Sequence, residues 1–513
     1  MKKIFKRYLL VFSIGGAIMF SSCQKYLDVN VDPNNPLTAE EKLLLPAAEL
    51  AVGIGLGDRY NNITNIWAQY WVGGPGVSQT PFDRHELTGL NLDRPWSYFY
   101  SSAGKDLATL IKSPKPVYRG IAKILMAYNL QLLVDLHGDI PFSEAFLGAI
   151  EDGNNTSPKF DKQTDVYDAI IGLINTGQAD ILGADQDLDE FPFAQDLIYG
   201  ETFWKIYDYH ADDVDFDGNL NNLQYGWNTF GNSLKLKIWL RQANAPGRSA
   251  AAQDSVAALY DNGAAFADWE TQVNGFNGTA GATLNTNPLF ANLENSLKNF
   301  YVGTTTSIDF LTSRGDDRIA SFYNKARGQY VGIDPGSAGQ PGVPTTKSAV
   351  SAISSSVYYS AAPVVLLNWS ESLFLQAEAA ARGWSSEDDL GLFGEAVQAN
   401  FFETGIGEID VEAYTDFFYD DTDLDSKLKS IALDKWISMN GRQPTEAWIE
   451  CRRFDTPGNI IFRGVGGLFK SPTANVLGAN NFPSMFIYPQ SELSLNVNAP
   501  TPTVVTGKVF WDN

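Results

Sequence analysis

The chain has 513 residues, with 60 acidic and 37 basic side chains and a formal net charge of −23 at pH 7. A surface this acidic repels phosphate backbones and anionic headgroups, so we expect no nucleic-acid partner and no membrane contact through a basic patch. The apolar content of 44% allows a sizeable core, and beyond the N-terminus no apolar run approaches the length of about 20 residues that a bilayer crossing needs.

Residues 1–22 have the pattern of an export signal: four basic residues, an apolar run over residues 8–20, and Ser21-Ser22 before Cys23. This ending resembles a bacterial lipobox, although Phe20 stands where Leu is usual. The resemblance implies a lipoprotein signal peptide over 1–22 and acylation of Cys23 by chains such as palmitate. The alternative is an ordinary secretion signal followed by a chance cysteine. Acylation would leave Cys451 without a disulfide partner.

Residues 23–37 are rich in Asp, Asn and Pro, which predicts an extended, lipidated tether and not a core element. Residues 38–513 are expected to form a single domain. Helical periodicity dominates that domain. Helices are predicted after an N-cap at Thr38, from Pro116 to before Gly138, from about Thr164 to Leu182, from near Asn228 through Leu240, from an N-cap at Ser370 to Gly383, from Leu390 to about Glu403, and from Leu428 to Asn440.

Pairs of helices separated by short breaks favour antiparallel helix hairpins, although no strict tetratricopeptide consensus is visible. Residues 263–305 are rich in Gly, Asn and Thr, and residues 328–362 carry five glycines and three prolines. Loops this long inside a compact domain are usually functional or disordered.

Six spaced motifs together resemble one family. They are DPNNP at 32–36, HGDIPFSEA at 137–145, WNTFGNSLKLK at 227–237, AEAAARGW at 377–384, EAW at 446–448 followed by Arg452-Arg453, and YPQSE at 488–492 followed by Asn496 and Asn498. In this order, over nearly the whole mature chain, they resemble the SusD/RagB family of outer-membrane lipoproteins in its SusD-like subgroup. Met485 stands where the family usually has Arg, and two insertions, at 200–227 and 453–482, depart from its pattern.

The resemblance implies a mainly α fold with a tetratricopeptide-like helix-pair scaffold, long irregular loops and little β structure. It also implies a lipid-anchored protein at the outer membrane, facing the extracellular side, without catalytic activity and without a required cofactor. Such a protein captures glycans, or glycan and peptide fragments, and passes them to a SusC-type TonB-dependent outer-membrane barrel.

The first insertion contains DVDFDGN at 213–219, with Asp213, Asp215 and Asp217 at alternating positions before a glycine. This is the first half of an EF-hand-type calcium loop, in which carboxylates bind the ion and glycine permits the turn. The twelfth position is Gln224 in place of the usual Glu. Two interpretations stay open: a structural calcium site, and a solvated acidic loop.

Sugars offer apolar faces to aromatic rings, so exposed aromatics in polar, Gly-rich surroundings are the expected ligand residues. Aromatic content is 13%, and Trp71, Trp96, Trp269 and Tyr330 best fit that description. For each of them the alternative is packing in the core.

Enzyme motifs are sparse in this sequence. The three histidines are far apart, and HExxH, CxxC, GxSxG and the P-loop pattern are missing. Cys451 lies in a stretch that predicts a helix interior and a structural role. A surface-anchored glycoside hydrolase needs only two carboxylates, and it remains the alternative function. A third interpretation is a structural surface lipoprotein without a small ligand.

Overall fold

The computed structural model describes residues 39–76, 81–148, 153–203, 220–277, 286–296, 300–501 and 504–512. Cys23, the tether, and the three aspartates at 213, 215 and 217 lie outside these residues. The predictions about them therefore remain predictions.

Helices make up most of the described chain. In its first half they are α1 (Glu41–Gly55), α2 (Asn61–Trp67), α3 (Asp93–Ser97), α4 (Lys105–Leu110), α5 (Pro116–His137), α6 (Gln163–Leu182), α7 (Leu220–Arg241) and α8 (Ser249–Asp261). In its second half they are α9 (Pro288–Ala291), α10 (Thr305–Arg314), α11 (Ile319–Phe322), α12 (Trp369–Ala381), α13 (Asp389–Glu403), α14 (Val411–Phe418), α15 (Leu424–Ser438), α16 (Pro444–Phe454) and α17 (Gln490–Leu495).

Helix pairs form the scaffold: α5 packs on α6, α7 on α8, α12 on α13, and α15 on α16. Within the first pair, Gly120 approaches Ile181 and Gly177 approaches Ile124, so the two helices run antiparallel. Glycine at both crossing points lets the backbones come close. The predicted fold class, mainly α with helix pairs, is confirmed. Among the described helices, none combines the length and apolar content that a bilayer crossing requires.

Several helix limits agree with the sequence prediction. Helix α5 has Pro116 in its first turn and ends at buried His137, α6 and α13 match within one residue, and Gly383 adopts a positive φ of 69° after α12. Cys451 is buried inside α16, as expected from its setting.

Four helix starts were predicted wrongly. The N-cap of α1 is Glu40 and not Thr38. The N-cap of α12 is Asn368 and not Ser370, because the Asn368 Oδ1 accepts a hydrogen bond from the Glu371 N–H at 2.7 Å. Helix α15 begins at Leu424, where Asp423 caps the Ser426 N–H at 2.8 Å.

Helix α7 begins at Leu220, eight residues before the predicted start at Asn228. Its first two turns contain Asn221, Asn222 and Gly226, which are poor helix formers, so the sequence does not show a helical pattern there. Leu220, Leu223 and Trp227 are nevertheless buried at helical spacing, and that packing decides the conformation.

The strands are short and form two-stranded antiparallel ribbons. They are β1 (Trp71–Gly73) with β5 (Tyr301–Gly303), β2 (Ile140–Pro141) with β3 (Phe160–Asp161), and β4 (Thr271–Val273) with β6 (Val364–Leu367). In the third ribbon Thr271 lies opposite Leu367. The residues just before β4 and just after β6 therefore come together at one end of the ribbon.

A network of buried charges joins the helix pairs. Its cations are Lys237, Arg241, Lys435 and Arg453, with Arg382 at its edge, and its carboxylates are Asp135, Glu371, Glu378, Glu446 and Glu450. The single side chain of Arg241, on α7, pairs with Asp135 of α5 and with Glu450 of α16. Because each charge has opposite charges beside it, burial is tolerated and the relative positions of the helices are fixed.

Candidate functional site

A polar cleft of about 160 Å³ opens beside the ribbon of β4 and β6. Within the described parts of the chain, its walls come from five separate stretches: residues 57–61, 287–289, 356–365, 403 and 441–442. Asn61, Asn287, Ser356, Tyr359, Glu403 and Arg442 supply its polar side chains. Concave sites with a few convergent polar groups are the usual place for small ligands.

A wide helical turn over Leu56–Tyr60 shapes the first wall. It links α1 to α2, and within it Asp58 leaves helical geometry at φ −89° and ψ −113°. Turns of this type occur frequently at functional sites. Here the turn brings Gly57 against Pro288. A Cβ at residue 57 would lie 2.7 Å from the proline ring, so only glycine allows the turn and residue 288 to pack this closely.

Gly441 sets the opposite wall. It has a positive φ of 72°, and a Cβ there would meet Val357 at 2.4 Å and the ring of Trp71 at 3.4 Å. Glycine alone tolerates both conditions. The turn between α15 and α16 can therefore lie directly on the Trp71 ring and direct the next residue, Arg442, toward the cleft.

Arg442 joins two acidic residues. Its Nη1 lies 2.8 Å from the Glu270 Oε1, and its Nη2 donates to the Glu270 Oε2 at 3.1 Å. The Nη1 also donates to the backbone carbonyl of Glu403 at 3.1 Å. Paired two-point contact of this kind fixes the orientation of the guanidinium plane.

The Glu403 carboxylate accepts three hydrogen bonds. Ser370 donates its N–H at 3.0 Å and its hydroxyl at 2.7 Å, and Asn400 donates its amide at 3.0 Å. Burial and the nearby charge of Glu270 nevertheless raise the pKa of Glu403 to about 7, against the lowering effect of Arg442. Near neutral pH this group is therefore divided between its charged and its neutral form.

Asn287 holds the loop that carries Tyr359. Its amide donates to the Ala362 carbonyl at 2.8 Å, its N–H donates to the Ser360 carbonyl at 2.9 Å, and its oxygen caps α9 at the Phe290 N–H. These contacts hold residues 359–362 in place while the Tyr359 ring remains 48% exposed at the cleft.

Two tryptophans stand at the ribbon end beside the cleft. Trp269 and Trp369 are both half-buried, with ring centroids 6.0 Å apart and planes 35° apart. Trp269 directly precedes Glu270, and Trp369 directly precedes Ser370, the donor to Glu403. On the far side of Trp269, the hydroxyl of exposed Tyr225 donates to Asp268 at 2.6 Å. Aromatic rings and carboxylates therefore alternate along this surface.

The structure separates the four aromatics predicted from the sequence. Trp269 directly precedes Glu270 and, with Tyr225 and Asp268, lines a small depression beside the cleft, whereas Trp71 lies buried beneath the cleft against Gly441. Trp96 is buried in the core, edge-on to His137 at 5.0 Å between centroids, and Tyr330 is half-buried in another loop beside Lys325. The expected exposure is thus wrong for Trp71 and Trp96, because strand pairing and helix packing cover them. A ligand role for the set remains a prediction.

Sequence reasoning missed Trp369, Arg442 and Tyr359 as ligand candidates. Trp369 lies at the start of a well-marked helix, where the sequence predicts a core position. The acidic partner of Arg442, Glu270, is 172 positions away in sequence. In the described parts of the chain, no group of three or more His, Cys, Asp or Glu side chains is positioned to hold a metal ion. Gln224, the twelfth position of the predicted calcium loop, donates its amide to the Ile181 carbonyl at 2.9 Å.

Comparison with protein families gives one match that covers most of the chain. Residues 33–489 match the SusD-like family model, described as starch-binding and associating with the outer membrane. The curated proteins yield no match.

Solved structures share the fold. A SusD homolog from Bacteroides uniformis superposes with a TM-score of 0.70 at 19% identity, covering 93% of this chain and 100% of that chain. A chitin-binding protein gives 0.69 at 19% identity, covering 92% and 100%. A SusD homolog from Bacteroides thetaiotaomicron gives 0.69 at 16% identity, covering 93% and 99%.

Proposed function

The chain belongs to the SusD-like family, as the match over residues 33–489 shows, and from that premise we propose that it binds glycans at the cleft beside β4 and β6. The observation that carries the proposal is the half-buried pair Trp269 and Trp369 next to Arg442 and its acidic neighbours Glu270 and Glu403. The starch-binding description of the family and the chitin-binding relative support a saccharide ligand.

The chemistry of the cleft suits a sugar. A pyranose presents C–H groups on its faces and hydroxyls around its rim, so it stacks on an indole while hydrogen-bonding to neighbouring polar groups. Here the indoles of Trp269 and Trp369 directly precede Glu270, which pairs with Arg442, and Ser370, which donates to Glu403. The cleft that Arg442 and Glu403 line also carries the amides of Asn61 and Asn287. The rings are already held by the ribbon and α12, so little side-chain entropy is lost on binding.

Calorimetric titration with maltoheptaose and with chitohexaose tests this proposal. Trp269→Ala should weaken binding about 5- to 150-fold, if a sugar face on the indole contributes the roughly 1–3 kcal/mol that a stacked nucleobase contributes. Tyr330→Ala, which removes a half-buried ring from another loop, is the matched control and should leave affinity unchanged. Loss of binding in Tyr330→Ala with none in Trp269→Ala would move the site to that loop. If peptides bind and neither sugar does, the glycan proposal is wrong.

We further propose that Cys23 is acylated and anchors the protein to the outer membrane, facing outward, within reach of a SusC-type TonB-dependent barrel. The lipobox-like sequence at 21–23 and the family description support this. A tether of 15 residues spans at most roughly 50 Å, so the domain would stay close to one barrel. Cys23→Ala should release or mislocalise the protein in cell fractionation while glycan binding persists. Stable association with a barrel but no binding of any glycan or peptide would favour a structural lipoprotein.

A glycoside hydrolase is the second candidate, and one observation favours it. Glu270 and Glu403 are close enough to interact, and the pKa of Glu403 rises to about 7, as in a general acid. Both carboxylates are, however, engaged by Arg442, Ser370 and Asn400. New reducing ends after incubation with maltoheptaose or chitohexaose, lost in Glu403→Gln, would establish hydrolysis and replace the binding-only proposal.

We also propose that Asp213, Asp215 and Asp217 bind a structural calcium ion, on the strength of the DxDxDG spacing. An ion that binds only the folded state raises the melting temperature as its concentration rises. Asp215→Asn should remove that increase. An identical melting temperature with calcium and with a chelator in the wild-type protein would rule the site out.

A further inference from the structure

We infer that the cleft selects uncharged oligosaccharides, N-acetylated ones included, and discriminates against those that carry carboxylate or sulfate groups, because its guanidinium is already neutralised by the protein's own carboxylate. This inference rests on the proposed glycan site and names the ligand class for it. It concerns the sign of the charge at the cleft, which neither the family description nor the relatives specify.

The charges around the cleft are few and can be assigned. Among the described residues that line it, Arg442 is the one cation and Glu403 the one anion. Glu270 stands behind Arg442 and contacts both of its terminal nitrogens, at 2.8 Å and 3.1 Å. Arg442 therefore pairs with the Glu270 carboxylate and contacts Glu403 through its backbone carbonyl, while the Glu403 carboxylate lies near enough to feel both charges. The local charge balance is neutral to negative.

Among the described residues that line the cleft, an anionic sugar finds no unopposed cation. To pair with Arg442, a ligand carboxylate would have to displace Glu270 from the two-point contact, or approach Arg442 with Glu270 and Glu403 beside it. Either arrangement places like charges together in a partly desolvated site, where their repulsion is screened less than in water. The incoming carboxylate would also lose its own hydration.

An uncharged sugar meets no such obstacle. Its hydroxyls both donate and accept, so they can add hydrogen bonds to groups that already have partners without breaking the Arg442–Glu270 pair. The rings of Trp269 and Trp369 accept the apolar faces of such sugars regardless of their linkage. Recognition by stacking and neutral hydrogen bonds, beside a closed ion pair, is therefore selective against charge.

Calorimetry with three probes tests the inference: maltoheptaose, chitohexaose and hexagalacturonate, each titrated into the full chain at low and at high salt. We expect the better neutral probe to bind at least about tenfold more tightly than hexagalacturonate at low salt, with the gap narrowing at high salt. Glu270→Gln removes the carboxylate that pairs with Arg442. It should reduce the affinity difference between the neutral probe and hexagalacturonate at least about threefold. Glu403→Gln removes the lining carboxylate and is the second variant, in case Glu270→Gln does not fold.

Glu395→Gln is the matched control, because it removes the same charge from an exposed position on α13, eight residues before Glu403. It should leave the gap unchanged. Equal narrowing in Glu395→Gln and Glu270→Gln would show that the overall negative charge sets the selectivity, and would overturn the inference. Hexagalacturonate binding as tightly as the neutral probes would overturn it while the glycan site stands. If none of the three probes binds, the proposed function fails as well.

Discussion

The helical scaffold and the cleft both contain Arg–Glu pairs, yet the two regions balance charge differently. In the scaffold, five cations meet five carboxylates across α5, α7, α12, α15 and α16. Burial alone would raise the pKa of Glu450, but Arg453 and Lys435 hold that pKa well below its ordinary value. At the cleft one guanidinium faces two carboxylates, and the pKa of Glu403 rises to about 7. Equal numbers of cations and carboxylates fix the helices in place, whereas the excess of carboxylate at the cleft leaves polar groups that a ligand can engage.

The largest expected effect comes from opening the scaffold network. Arg241→Met leaves the buried carboxylates of Asp135 and Glu446 without their shared cation. We expect a loss of about 3–5 kcal/mol in the free energy of unfolding, or no folded protein, measured by urea denaturation. The control is Arg248→Met, whose partner Asp168 is 65% exposed, with an expected loss below about 1 kcal/mol. Equal losses in the two variants would refute the distinction between buried and exposed pairs.

A second comparison uses tryptophans of the two regions. Trp96 is 5% exposed and contacts His137, so Trp96→Ala should cost about 3–5 kcal/mol through the cavity that it leaves. Trp269→Ala, at the half-buried position before Glu270, should cost about 1–2 kcal/mol in the free energy of unfolding and lose glycan affinity. A larger loss of stability in Trp269→Ala than in Trp96→Ala, in thermal or urea unfolding, would refute this difference between core and surface.

Titration of Glu403 gives a smaller, pH-dependent effect. The pKa of Glu403 is about 7 in the folded protein and near 4.5 in the unfolded chain, so the folded state binds the proton more tightly. Its contribution to stability is therefore fully present below about pH 4.5 and is lost as the pH rises through 7. Relative to Glu403→Gln, the wild-type protein should lose about 1–3 kcal/mol in its free energy of unfolding as the pH rises from 4.5 to 7.

The difference between wild type and Glu403→Gln has to be used for this test. Burial lowers the pKa of His137 to about 3, and that group acts in the opposite sense: its contribution is present above about pH 6.5 and is lost on acidification. Subtraction cancels His137, which is common to both proteins. A difference that stays flat between pH 4.5 and 7 would contradict the raised pKa of Glu403.

The smallest effect concerns the start of α12, where scaffold and cleft meet. Asn368→Ala removes the cap on the Glu371 N–H and should cost about 1 kcal/mol. Asn262→Ala, an exposed amide at the end of α8, should change stability by less than about 0.5 kcal/mol. If Asn368→Ala proved as mild as Asn262→Ala, the cap seen here would not stabilise the helix.

Much of the scaffold could be predicted from sequence because its signals are local. Pro116 marks the start of α5 and Gly138 marks its end, and the spacing of apolar residues predicts α6 and α13. The start of α7 was missed because tertiary packing of Leu220 and Leu223 overrides the poor helix propensity of the residues between them.

The cleft could be predicted only in part because it is assembled over long sequence distances. Trp269 stood out through its polar surroundings, but Arg442 meets Glu270 across 172 positions and Trp71 is covered by a turn at Gly441. No local pattern encodes such contacts. Cys23 and the aspartates at 213, 215 and 217 lie outside the described residues, so their roles rest on sequence alone.

The most direct measurement is a crystal structure of the protein with maltoheptaose or chitohexaose bound. We expect a sugar ring stacked on Trp269 and Trp369, with hydroxyls hydrogen-bonded to the group formed by Arg442, Glu270 and Glu403 while the Arg442–Glu270 pair stays closed. Sugar density at another surface, such as the loop of Tyr330, with the cleft unoccupied would contradict it.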